Sequence, residues 1–132
     1  MNTFFDSTKP YLELVGRVLI AGLFVLSGWS KIGGYAAAQG YMQSAGVAGG
    51  LLPLVIALEL GGGIAIVAGL FTRPVAVLLA GFSILTALLF HAGADQIQQI
   101  MFLKNLGLAG GFLFLAAHGG GRLSVDALLK LG

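Results

Sequence analysis

The sequence has no cysteine. Disulfides, thiolate metal sites and dithiol redox chemistry carried by the chain itself are therefore excluded. Charge is also scarce: 9% of the 132 residues are Asp, Glu, Lys or Arg, against about 25% in a soluble domain. So few charges cannot cover a particle this small, and most of its surface must face something other than water. No basic run is present, and a net charge of +2 gives nucleic acid no electrostatic footprint. The opening MNTFFDSTKPYLELV lacks the basic n-region, short apolar core and small-residue cleavage site of a secretory signal, so the first hydrophobic segment is expected to be retained. Period-two alternation over segments of about 10 residues is missing too, which excludes the strands of a membrane β-barrel.

What is present is apolar. The chain is 58% hydrophobic with a mean hydropathy of +0.97. A helix needs about 20 mostly apolar residues to span a bilayer, and inside lipid every backbone amide needs an internal partner. Four segments meet this length, at about 10–31, 51–71, 74–92 and 96–118. Pro10, Pro53 and Pro74 each fall at a segment start, where proline suits a first helical turn. Glycines follow the first and fourth segments. The predicted fold is all-α: a single domain over residues 1–132, built as a four-transmembrane-helix bundle. The first loop, with GYAAAQGYMQSAG in its middle, reads as a short interfacial helix on the outer side. The tail GGGRLSVDALLKLG reads as another, with Ser124 as N-cap and Leu128, Leu129 and Leu131 as its buried side. Four spans put both termini on one side with Lys9, Arg73, Arg122 and Lys130, against Lys31 on the other. That bias predicts cytoplasmic termini.

Charges within the spans are costly and mark sites. Glu59 shares a helical face with Gly62, Gly63 and Ile66. Lys104 shares one with Gly107, Leu108 and Gly111. Gly107 and Gly111 form a GxxxG pair, and Gly61, Ala65 and Gly69 repeat small residues, the pattern of close helix packing in lipid. Both charges lie roughly 10–12 Å below the outer surface at 1.5 Å per residue. The expectation is an ion pair between Glu59 and Lys104, direct or through one water, with Asn105 hydrogen-bonded in the same cluster. The plainer reading of that pair is a device that fixes helix register; the sharper one is a ligand or proton site. Glu13 and Arg17 have the spacing of a helical pair snorkelling to the inner interface, or Arg17 turns inward as a headgroup or anion contact. Trp29 and Lys31 read as interfacial anchors, with Trp29 also able to wall a pocket above Glu59. His91 and His118 should lie at opposite membrane ends, so one haem cannot take both. His91 and Asp95 are four apart, but a turn at Gly93 makes a metal site unexpected there. His91 is better placed as a proton exchanger.

The stretches RVLIAGLFVLSGWSKIGGY, LLPLVIALELGGGIAIVAGLFTRP and MFLKNLGLAGGFLFLA resemble the DoxX family of small bacterial membrane proteins, and within it the YqjF-like inner-membrane branch. The resemblance runs from about Arg17 to Leu128. It implies a multi-pass protein of the bacterial inner membrane, with the family's polar positions matched at Arg17, Lys31, Glu59, Lys104 and Asn105. It also implies a quinone- or quinol-interacting subunit of a membrane redox or stress-response system, with a separate redox partner supplying electrons. In that case Glu59, Lys104 and His91 would bond the quinone carbonyls, and Trp29 with nearby phenylalanines would flank the ring. Independent oxidoreductase catalysis is not expected, and no catalytic residue is assigned. Two other readings stay open: a non-enzymatic structural or partner-binding membrane protein, and a small transporter that would need a homo-oligomer.

Overall fold

The computed structural model describes residues 2–131, which form helices joined by turns. The first, α1, runs from Asn2 to Gly33. A short helix α2 covers Tyr35–Ser44. Next comes α3, Gly49–Ala68, which opens with a tight 3-10 turn and contains a π turn at Ala57–Gly61. Helix α4 spans Thr72–Phe90, α5 spans Gln96–His118, and α6 is one turn, Val125–Leu128. Four of these, α1, α3, α4 and α5, are long and apolar enough to cross a membrane. The all-α, four-span architecture and the helix in the first loop match the sequence reading.

The boundaries differ in instructive ways. Helix α1 begins eight residues before Pro10, which sits inside it. At 32 residues it is about 48 Å long, well over the roughly 30 Å of hydrocarbon in a bilayer. Its first turns are stabilised locally: Ser7 and Thr8 hydroxyls both donate to the Phe4 carbonyl. The turn between α3 and α4 is not Thr72-Arg73 but Gly69-Leu70-Phe71, because Gly69 takes a left-handed φ of 74°. The amide of Leu70 then donates back to Ala65 and that of Gly69 to Ile66, the two bonds of a Schellman ending. At α5, Asp95 accepts from the Gln98 amide at 2.8 Å and so serves as an N-cap within the GADQ loop.

Helix α1 packs on α3, α3 on α4 and α4 on α5. The core joins Ala21 and Phe24 of α1, Ile66 of α3, Ala76, Leu79 and Ala80 of α4, and Ala109 and Phe112 of α5. Phe24 meets Phe112 edge-on at 5.4 Å. Close approach uses Gly63 and Gly28, and one member of each expected set, Gly111 against Ile20 and Gly69 against Arg17 and Ser124. A Cβ on Gly63 would stand 2.8 Å from Val25 Cγ2, and one on Gly28 would stand 2.9 Å from the Leu60 nitrogen. Gly61 and Gly107 face open space. The expected small-residue stripes are therefore contact faces at Gly69 and Gly111 but not at Gly61 and Gly107. On α4 the buried stripe is Thr72, Ala76, Ala80, Ser83 and Ala87, and α5 lies on it through Asn105, Ala109 and Phe112. In the tail, Ser124 does cap α6, accepting from Ala127, but the buried side is Asp126 and not the leucines. Leu128, Leu129 and Leu131 are exposed.

Candidate functional site

Glu59 is buried in the π turn of α3. A π turn holds more residues than an α turn and is frequent where a helix carries a function. The partner of Glu59 is Lys31, not Lys104. Lys31 Nζ lies 2.6 Å from Glu59 Oε1 and donates also to Ser27 Oγ at 2.7 Å. Ser27 in turn donates to Glu59 Oε2 at 3.0 Å. Ser27 and Lys31 are four apart on α1 and share a face. Lys31 is in the last turn of α1, where the helix dipole favours a cation. Its flexible stem reaches from the helix end down to the carboxylate, so an apparent interfacial anchor becomes the counter-ion of a buried acid.

Lys104 is exposed and makes no ion pair among the described residues. The cause is rotational. Asn105, Ala109 and Phe112 fix α5 against α4, and residue 104 is turned about 100° from residue 105. Asn105 does not join the Glu59 cluster by hydrogen bond; its Nδ2 donates to Thr86 Oγ1 on α4 at 3.0 Å. His91 bonds Gln98 Oε1 through Nδ1 at 2.9 Å, which leaves Nε2 free of that contact.

These residues nonetheless meet around one space. A cavity of about 510 Å³ is lined by Lys31, Glu59, His91, Lys104 and Asn105, with Ser27 beside them. Its other walls are apolar, including Phe24, Phe82, Leu58 and Leu108. Helix α2 contributes Tyr41 and the buried Met42, and Tyr41 stacks on Phe90 at 5.2 Å. The interfacial helix is thus packed over the cavity. Leu54 and Leu85 line the cavity and are also exposed on the outside of the bundle, so its rim reaches the apolar flank.

Two expected members lie elsewhere. Trp29 is 69% exposed and does not line the cavity; two residues beyond Ser27, it points some 200° away around α1. Arg17 is fourteen positions from Lys31, about 21 Å along the helix, and belongs to a different cluster. It is only 2% exposed, and it forms no ion pair with Glu13. Its Nη1 donates to the carbonyls of Ile66 and Val67, each at 3.2 Å, and its Nη2 to that of Leu123. The guanidinium therefore covers the carbonyls at the end of α3, where the dipole is negative. Beside it, Asp126 accepts the amides of Phe71 at 2.6 Å and Thr72 at 2.8 Å, capping α4 from across the chain. Burial alone would raise the Asp126 carboxyl, but these donors and the charge of Arg17 hold it below its ordinary value. A Cβ at Gly69 would run into Arg17 Nη1 and Ser124 Cβ. This clamp was not legible in the sequence, where Asp126 is one acid in a short tail.

The profile of the family described as DoxX matches residues 12–92. The chain belongs to the DoxX family. Its sequence is 53% identical over 118 residues to the inner membrane protein YqjF of Escherichia coli (strain K12), covering 89% of this chain and 91% of that one. It is 36% identical over 138 residues to the inner membrane protein YphA of the same organism, covering 96% and 99%. No solved structure matches this DoxX chain. The family match takes in α1, α3 and α4, and with them Ser27, Lys31, Glu59 and His91; Lys104, Asn105 and the Asp126 clamp fall beyond it.

Proposed function

We propose that this DoxX protein is a bacterial inner-membrane subunit that binds a quinone or quinol headgroup in the cavity beside Glu59. The carrying observation is an apolar cavity of about 510 Å³ with Lys31, Glu59, His91 and Lys104 on its wall. Ligand pockets of a few hundred Å³, mostly apolar with a few convergent polar groups, suit a small flat molecule. A quinone ring has apolar faces and two acceptor oxygens. Phe24 and Phe82 offer the faces, and Lys31 and Lys104 offer donors. The exposed rim at Leu54 and Leu85 gives an isoprenoid tail a path into lipid. A bound quinone would supply two-electron, two-proton chemistry. The residues of the chain then bind and orient the ring, keep bulk water out beneath α2, and hold protons at Glu59 and His91. With no cysteine and no other redox group of its own, the chain takes its electrons from a partner protein.

The location rests on the names of its relatives, both inner membrane proteins. The end bearing Lys9, Arg73, Arg122 and Lys130 faces the cytoplasm by the positive-inside rule, which puts the cavity in the outer leaflet half. One observation favours a purely structural role instead: both carboxylate oxygens of Glu59 are already satisfied by Lys31 and Ser27.

The test is extraction of quinone from the protein purified with native lipid, with a thermal shift by a short-chain quinone. Val55→Trp fills the cavity from α3. Retained quinone and a shift, both lost in Val55→Trp, are expected. A protein that carries no quinone and shows no shift overturns the reading.

A further inference from the structure

At the opposite end of the bundle, α1 and α5 leave a second space of about 500 Å³ between them. The two helices make little direct contact there. Both are candidate spans, so whatever fills this groove stands partly in hydrocarbon. Its residues are graded along the helix axis. Lys9 and His118 lie at the margin, Gly16 and Arg17 lie further in, and Ile20 with Gly111 lines the deeper part. From Lys9 to Ile20 is eleven positions, about 16 Å along α1, the scale of a phosphate with the first part of an acyl chain. Gly16 faces open space, so the protein itself does not fill the groove.

The polar end is built for an acceptor. Arg17 lines the groove and is 2% exposed, yet its Nε is buried without a hydrogen-bond partner. Its two terminal nitrogens each have carbonyl partners, so Nε is the nitrogen with none. A buried donor without a partner is costly, and one in a native fold calls for an occupant. The carboxylate of Glu13 also lines the groove. It lies against the tail, 2.8 Å from where a Cβ on Gly121 would stand. Lys9 is exposed and makes no ion pair among the described residues. Glu13 and Asp126 both stand near Arg17, so Lys9 is the cation that gives the margin its positive charge.

We infer that the α1–α5 groove binds an anionic phospholipid, with its phosphate beside Gly16, between Lys9 and Arg17 Nε, and an acyl chain over Ile20 and Leu115. The site is separate from the quinone cavity and does not depend on it. A soluble anion would fill only the polar end; phosphatidylcholine carries the same phosphate, but its choline cation would lie against Lys9 and offset the gain.

The experiment is native mass spectrometry of delipidated protein titrated with phosphatidylglycerol, with phosphatidylcholine of the same chains, and with glycerol phosphate. One lysine against a headgroup of net negative charge predicts a preference for phosphatidylglycerol of about fivefold. Lys9→Gln should abolish that preference, and Gly16→Leu should displace the lipid while leaving the fold intact. Both positions are open, so neither variant threatens folding, and thermal unfolding confirms it. Equal binding of the two lipids overturns the inference. So does a preference that survives Lys9→Gln, a lipid adduct that survives Gly16→Leu, or glycerol phosphate binding as tightly as the lipid.

Discussion

Lys31, on the last turn of α1, closes a 2.6 Å ion pair with Glu59 in the π turn of α3. The carboxylate side chain is 6% exposed and the lysine 29%, so the pair is buried on one side and half-open on the other. Breaking a fully buried pair costs about 3–5 kcal/mol, and partial exposure of Lys31 reduces that. Lys31→Met is expected to lower stability in detergent by about 2–3 kcal/mol, and adding Glu59→Gln should recover most of it. Lys104→Met should change stability little. Thermal unfolding of the four proteins checks this, and equal effects at Lys31 and Lys104 would contradict the geometry.

Arg17 reaches three carbonyls on α3 and the tail with a planar fork that lysine cannot reproduce. Hydrogen bonds to charged groups contribute about 1.5–3 kcal/mol each. Arg17→Lys should therefore destabilise by about 2–4 kcal/mol, read as a lowered unfolding temperature. A variant as stable as the parent would show that the carbonyls find other donors.

Gly63 and Gly61 test which small residues let helices meet. Alanine at 63 places a Cβ 2.8 Å from Val25 Cγ2 and 3.2 Å from the Ala21 carbonyl, while alanine at 61 meets nothing within 4 Å. Gly63→Ala should cost about 1–3 kcal/mol through overpacking. Gly61→Ala should stay within about 0.5 kcal/mol. The reverse order would move the α1–α3 contact to the other face.

Asp126 has a folded carboxyl value below its ordinary 3.8. A group whose value is depressed by folding contributes stability above its unfolded value, and that stability fades as pH falls through the folded one. Unfolding temperature should thus be insensitive to this group from neutral pH down to about 4, then drop more steeply below it. Asp126→Asn should remove that acid-side dependence and lower stability at pH 7. An acid profile identical in the variant would assign the dependence to another carboxylate.

Helix number, type and approximate span were legible because lipid leaves a chain few choices: apolar length and the demand for internal hydrogen bonds decide them. That Glu59 must have a buried partner was legible for the same reason. Which cation it takes was not. Lys31 and Lys104 both sit near Glu59 in depth, and the choice turns on how α5 is rotated against α4 by Asn105, Ala109 and Phe112. The sequence is apolar all around α5 and gives no stripe from which to read that rotation. Trp29 was misplaced by the same uncertainty on α1. The Asp126 clamp had no local signal, because a cap supplied from 54 positions away leaves the helix it serves without a capping residue of its own.

That separation has a consequence for biogenesis. A ribosome adding about 5–20 residues per second takes roughly 3–10 s to go from Thr72 to Asp126. All four spans have been synthesised before the acid that closes α4. Until then the first amides of α4 and the end of α3 depend on water at the membrane surface, and final locking of that end is a post-insertion event.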